Sequence, residues 1–289
     1  MRVATFEAQI LEKLTDLPPF SPVLVKLLST LGQAGISSGP LASLIEQDPV
    51  LAGSVLRLAN SAVYSQRQVV TSITTAINMI GIDRLRNVVT ALSVSQMWKK
   101  LPRAEGWSTA DFNEHGLATA ILAATLADHM PNDFAEGAFL AGLLHDVGKL
   151  LIVMAVPNDY RQITAIYEGP GHKTWTACER EVLDTDHAVL ASLALEEWKI
   201  AEPIRRAVRW HHDPERKHLS QIVGLADSIA NAIGYSVLPL TTVLVDLPAE
   251  EIVAKILRPE CSAISAAALL ENFRNEMDVI RGAPRTLRN

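Results

Sequence analysis

Cysteine is scarce: the 289 residues hold two, Cys178 and Cys261, far apart and outside any CxxC setting. A disulfide framework or a thiolate zinc site is therefore not expected, and the thiols fit a reducing cytosol, so the expected location is the cytoplasm. Positive charge is in deficit. A formal net charge of -6 leaves no overall electrostatic footprint for nucleic acid. Internal repeats and low-complexity tracts are lacking, and no run alternates with period two for long enough to argue for a sheet. The opening MRVATFEAQILEKL lacks the basic start, apolar middle and small-residue cleavage site of a secretory signal and is expected to form a first helix. What the chain does have is 48% hydrophobic and 20% charged residues, an ordinary globular mixture. That length supports one large domain or two of usual size.

The N-terminal third reads as short helices punctuated by Pro and Gly. Ser21-Pro22 and Asp48-Pro49 each place an N-cap before a proline in the first turn, ahead of apolar residues at helical spacing. SITTAINMIG is a further short helix stopped by Gly81, and Asp83 is expected to cap the next. Asn60 and Ser61 are expected to bond locally to backbone, and Arg84 and Arg86 to lie on a solvated face. LPRAEGW, around Pro102 and Gly106, is the best boundary. Ser108 then caps a helix carrying Asp111 and His115 four residues apart, hence on one side. A capping-box pattern at Asp133 and Glu136 is expected to open the next helix.

That helix covers Gly137 to Val156, GAFLAGLLHDVGKLLIVMAV, a nearly unbroken apolar run interrupted by His145, Asp146 and Lys149. Helices apolar on every side belong in a core, where an unpaired carboxylate costs several kcal/mol. The run is long enough to span a bilayer, but three polar side chains at its centre would be costly in lipid. Taken alone, the segment is equally compatible with a simple buried His–Asp hydrogen bond.

Further along, His172 falls in a glycine-containing loop and reads as solvated. CEREVLDTDHAVLASLALEEWKI is again helical and turns His187 inward. IRRAVRWHHDP ends on His211 and His212, and LSQIVGLADSIANAIG sets Asp227 beside its apolar stripe. Seven groups, His115, His145, Asp146, His187, His211, His212 and Asp227, thus occupy inward or borderline positions of five successive helices. Buried polar groups need mutual satisfaction, and divalent cations supply it. Imidazole and carboxylate without thiolate suit Fe, Mn, Ni or Zn, and more than four ligands permit two ions. Two ions bridged by Asp146 could activate water and clamp a phosphate.

At this point the residues resemble the HD superfamily of metal-dependent phosphohydrolases, through His115, His145-Asp146 in LLHDVGKL and Asp227 in LADSIA. More specifically, LPPFSPVLVKLL, DPVLAGSVLRLANSAVYS, TSITTAINMIGIDRLRNVV and TDHAVLASLALEEWKIAEPIRRAVRWHHDP resemble, in order, the recurring segments of the HDOD domain over residues 17 to 235. The resemblance implies an all-α protein with an N-terminal helical lobe (1–105) packed against an HD-type metal-binding lobe (106–235), followed by a C-terminal helical extension (236–289). It also implies a role in bacterial signalling. Many HDOD domains have lost metal ligands, whereas this chain is similar to the related HD-GYP phosphodiesterases in all seven positions. On that comparison Lys149 matches a lysine near the phosphate, and Asp111 stands where those enzymes have a further acidic ligand. The GYP signature is absent; the sequence there is HHDPERKHLS.

The expected function is a regulatory module with a retained mono- or dinuclear metal site, acting on a signalling protein partner or a small phosphorylated ligand. No nucleic acid or membrane partner is expected, and a homodimer stays open. The alternative is an active phosphohydrolase with Lys149 and Asp146 as catalytic residues, and a third reading pairs the ligands among themselves without metal. The expected cofactor is one or two divalent ions, Fe or Mn ahead of Zn or Ni.

Overall fold

The computed structural model describes residues 12, 22–29, 37–61, 64, 69–99, 105–171, 173–213, 215, 217–238, 248–257 and 260–281. Among them the secondary structure is entirely helical, with no strand, so the expected all-α class holds. The expected first helix, the Ser21 cap, Pro102 and His172 lie outside the described residues. Two compact units emerge, one drawn from Lys100–Ala267 and the other from Pro19–Lys99 with Ala268–Asn289.

In the unit containing the N-terminal third, the helices are α1 (Pro22–Ser29), α2 (Ser38–Glu46), α3 (Pro49–Ala59), α4 (Ile73–Ile80) and α5 (Ile82–Trp98). Asp48 caps α3 as the Asp-Pro signal predicts, accepting from the backbone N–H of Val50 and Leu51. Ser72 caps α4 through the N–H of Thr75. The α3 end is locked by Asn60, whose amide donates to the carbonyls of Leu56 and Val70 while its oxygen accepts from Val70 N–H. This is the local backbone role expected of it. Asp83 does not cap α5: Gly81 occupies the cap with φ 92°, a left-handed conformation that favours glycine, and Asp83 pairs instead with Arg86. Leu41, Ile45, Leu51, Val55, Ile77, Leu85 and Val89 build the core of this unit.

Val279 of the C-terminal helix, numbered α15 and spanning Ala266–Arg281, joins that core. Arg84 is not on a purely solvated face. Its guanidinium grips both carboxylate oxygens of Glu276 in α15, with Nε at 2.7 and 3.0 Å, and reaches the Tyr64 hydroxyl at 3.1 Å. The partner lies 192 residues away, beyond the reach of any local pattern.

In the second unit the chain forms α6 (Thr109–Ala127), α7 (Ala138–Leu144), α8 (Val147–Ala155), α9 (Pro157–Glu168), α10 (Trp175–Leu183), α11 (His187–Glu197), α12 (Glu202–Arg209), α13 (His218–Ala232) and α14 (Ala249–Leu257). Helix α7 packs on α6, α12 and α13, while α8 packs on α9 and α11, and α14 lies on α13. Ser108 caps α6 as expected. The capping box does not form: a 3-10 turn over Ala135–Gly137 leads into α7, and Asp133 pairs with Arg206 of α12.

Between α7 and α8 the apolar run breaks at His145 and Asp146, which lie outside regular helix. Ala135–Ala155 is the stretch among the described residues long and apolar enough to cross a membrane; its most apolar 18-residue window has mean hydropathy 1.7, and 89% of that window is buried within the protein. Two glycines let its halves approach their neighbours. At Gly142 a Cβ would meet backbone atoms of Thr119 and Ala120 in α6 at 2.8 Å, and at Gly148 it would overlap the backbone carbonyl of His187.

Candidate metal centre

The break after α7 is what presents His145 and Asp146 to the interior. His145 is fully buried and its Nδ1 meets the carbonyl of Gly142, one turn earlier, at 2.8 Å, leaving Nε2 toward the centre. Helix α6 delivers His115, whose Nδ1 lies 2.7 Å from the carbonyl of Tyr235 just beyond α13. Asp227 comes from α13, and His115 Nε2 sits 3.3 Å from its Oδ1 and 3.2 Å from His145 Nε2. These three side chains form one group whose donor atoms converge.

A second group comprises Asp146, His187, His211 and His212. Helix α11 begins at His187, because Asp184 closes α10 in the left-handed conformation and Asp186 caps α11 through Val189 N–H. His211 and His212 follow the end of α12. His187 Nε2 approaches His212 Nε2 at 3.0 Å, and the His211 and His212 rings lie 3.9 Å apart between centroids. Asp146 faces both groups. Its Oδ1 lies 3.2 Å from His187 Nε2 and 3.4 Å from His145 Nε2, and its Oδ2 lies 3.3 Å from His115 Nε2.

Lys149, one turn into α8, donates to Asp146 Oδ2 at 2.6 Å. All of these side chains are buried except His212, which is exposed. The structure thus brings together all seven residues read from the sequence as converging, with Lys149 beside them. Asp111 behaves differently. It is exposed in the first turn of α6 and belongs to neither group. Spacing of four puts it on the His115 side of the helix but a full turn toward the solvent-facing end.

Burial would penalise every charge here, yet close opposite charges overrule it. Burial raises Asp146, but His145, Lys149, His115 and His187 hold it well below the usual carboxylate range. Asp227 is lowered likewise by His115 and His145. Burial lowers His115 and His187, but Asp146 and Asp227 carry the first, and Glu179 and Asp146 the second, up to about 9. At His211, burial and the neighbouring His212, His145 and His187 outweigh the opposing pull of Asp227 and push it well down. Of the side-chain atoms of these two groups, two that are buried have no hydrogen-bond partner among the described residues: Asp146 Oδ1 and His211 Nε2. Both carry lone pairs facing a ring of imidazole nitrogens. Such a donor set, free of thiolate, is suited to divalent transition cations.

Sequence reasoning missed Glu179. This α10 side chain is fully buried; Oε2 accepts from His187 Nδ1–H at 2.6 Å and from His187 N–H at 3.0 Å, and Oε1 from Trp175 Nε1–H at 2.6 Å. A signal was present, since Trp175, Glu179 and Leu183 follow at intervals of four and share one buried stripe. The expected single helix over CEREVLDTDHAVLASLALEEWKI hid it, because the chain turns back between α10 and α11 and folds Glu179 over His187.

The HDOD domain profile matches residues 17–214. A curated relative, an uncharacterized protein of Treponema pallidum, is 23% identical over 211 residues, 71% of this chain, and the match spans only 39% of that protein's length. Among solved structures, a candidate phosphohydrolase from Shewanella amazonensis superposes with a TM-score of 0.71 at 25% identity, covering 95% of this chain and 98% of the other. An HDOD domain protein of unknown function from Geobacter sulfurreducens gives 0.68 at 21% identity, covering 99% and 100%.

Proposed function

Since the chain belongs to the HDOD domain family, we propose that it is a signalling-associated regulatory module whose larger unit is clasped by one or two divalent cations. It acts by engaging a signalling protein partner or a small phosphorylated ligand. The single observation that carries this reading is burial. His115, His145, Asp146, His187 and His211 are each 2% exposed or less, so the centre is closed around every donor but His212, much as structural metal sites are. Residues His115, His145 and Asp227 would hold one ion, residues His187, His211 and His212 another, with Asp146 between them.

A second reading, an active phosphohydrolase, is favoured by Lys149 and by the candidate phosphohydrolase at 25% identity. Cations bound in such a centre supply Lewis acidity toward phosphoryl oxygen and lower the pKa of coordinated water. Lys149 would neutralise developing charge on a leaving oxygen, and Asp146, now anchoring Lys149, would orient it. His212, exposed at the edge, would mark the entry side.

Turnover separates the two readings. Metal-loaded protein is challenged with a panel of cyclic dinucleotides, nucleotides and simple phosphodiesters. The regulatory reading expects no hydrolysis above that of His145→Ala and Asp146→Ala variants. Hydrolysis that disappears in both variants would replace it with the second reading.

A further inference from the structure

The four buried histidines of the centre are not held alike. His115, His145 and His211 each direct Nδ1 to a backbone carbonyl, those of Tyr235, Gly142 and Val208, at 2.7, 2.8 and 2.6 Å. Carbonyl oxygen only accepts, so Nδ1 keeps a proton in each and Nε2 is the nitrogen that can offer a lone pair to a cation. His187 instead directs Nδ1 to the carboxylate of Glu179. Glu179 is itself outside both ligand groups, on the far side of the His187 ring from Asp146 and His212.

Carboxylates differ from carbonyls in carrying a full charge. Behind an imidazole N–H, such a charge raises the basicity of the opposite nitrogen and fixes both tautomer and ring orientation. Burying Glu179 would be costly without partners, and three donors meet it: His187 Nδ1–H, His187 N–H and Trp175 Nε1–H. The backbone of His187 is also pinned from the other side by Gly148, where α8 crosses with no room for a Cβ. His187 is therefore the histidine of the centre held by a charged partner and by close backbone contact together.

Resting on the metal reading above, we infer that Glu179 is a positioning residue that makes the Asp146–His187–His211–His212 group the tighter of two unequal cation positions. Ions enter that position first and leave it last.

Titration of metal-free protein with Mn2+, with free ion read by electron paramagnetic resonance, tests this without reference to activity. Wild type is expected to bind in two steps. Glu179→Gln keeps the shape and an acceptor for His187 but removes the charge, and it is expected to weaken the tighter step by about 10- to 100-fold and leave the weaker step within about threefold. Trp175→Phe, which removes a donor to Glu179 but keeps the carboxylate, is expected to leave the tighter step within about the same threefold margin. An equal loss at both steps, an equal loss in Trp175→Phe, or no loss in Glu179→Gln would each overturn the inference. Wild type that takes up no ion at all overturns the metal reading itself, a distinct outcome. Should Glu179→Gln fail to fold, His115→Gln and His187→Gln decide the order: the step left in His115→Gln is expected to be about tenfold tighter or more, and the reverse order overturns the proposal.

Discussion

Gly148→Ala perturbs the centre without replacing any candidate ligand. The new Cβ would lie 2.7 and 2.8 Å from the carbonyl carbon and Cα of His187, and closer still to its oxygen. Carbon atoms pack at about 3.5–4.0 Å, so α8 must withdraw from the start of α11 by roughly 1 Å. The obstacle is backbone, which cannot swing aside as a side chain could. Overpacking of this kind costs about 1–3 kcal/mol. Alanine is the better helix former by about 1 kcal/mol at most, and less at the second residue of a helix. The net expectation is a loss of about 1–2 kcal/mol, or a fall in melting temperature of roughly 2–8 °C. Because the displaced atom belongs to His187, Mn2+ affinity should fall with it. Gly53→Ala is the matched control: its Cβ would meet only an Arg57 side-chain nitrogen at 3.5 Å, and it should hold or slightly raise stability. Thermal melts of the three proteins with and without Mn2+ decide the matter. A Gly148→Ala protein that melts as wild type does and binds ions equally well would refute the close approach of α8 to His187.

Other consequences follow from the same geometry. Asp146→Ala removes the carboxylate shared by both groups and leaves Lys149 buried without its partner, so denaturant unfolding should register a loss of about 3–5 kcal/mol. In protein kept free of ions by chelator, His115 and His187 are held up to about 9 against an ordinary value of 6.5. A raised value stabilises the fold fully below the unfolded value and loses that contribution as pH climbs through the folded one. Melting temperature in chelator should therefore fall between about pH 6.5 and 9, and a flat profile there would contradict the carboxylate contacts of these rings. The Arg84–Glu276 pair is more than a quarter exposed on both sides, so a double-mutant cycle should return a coupling of only about 1 kcal/mol; zero coupling would deny the bidentate grip.

Much of the centre was legible in the chain because its polar residues stand against apolar neighbours. His115, His187 and Asp227 declare themselves by interrupting helical stripes, and His145-Asp146 by interrupting an apolar run. The helical signals at Asp48 and Ser108 likewise act within a turn, where sequence and structure meet most directly. What failed to show was longer in range or less periodic. A run apolar on all sides has no stripe whose phase could reveal the break between α7 and α8. The Arg84–Glu276 pair joins residues too distant for any pattern. Glu179 sat in a charged-looking stretch, CEREVLD, that resembles a solvated helix until the turn at Asp184 folds it inward. Asp111 lies outside both groups because spacing fixes the side of a helix but not its depth.

The most direct measurement is the metal content of protein purified anaerobically and without chelator. Seven converging donors, two of them otherwise without a hydrogen-bond partner, predict about one to two equivalents of a divalent transition metal, absent from Asp146→Ala. Less than about one tenth of an equivalent would contradict the account, because a centre with this many preformed ligands should retain its ions through purification.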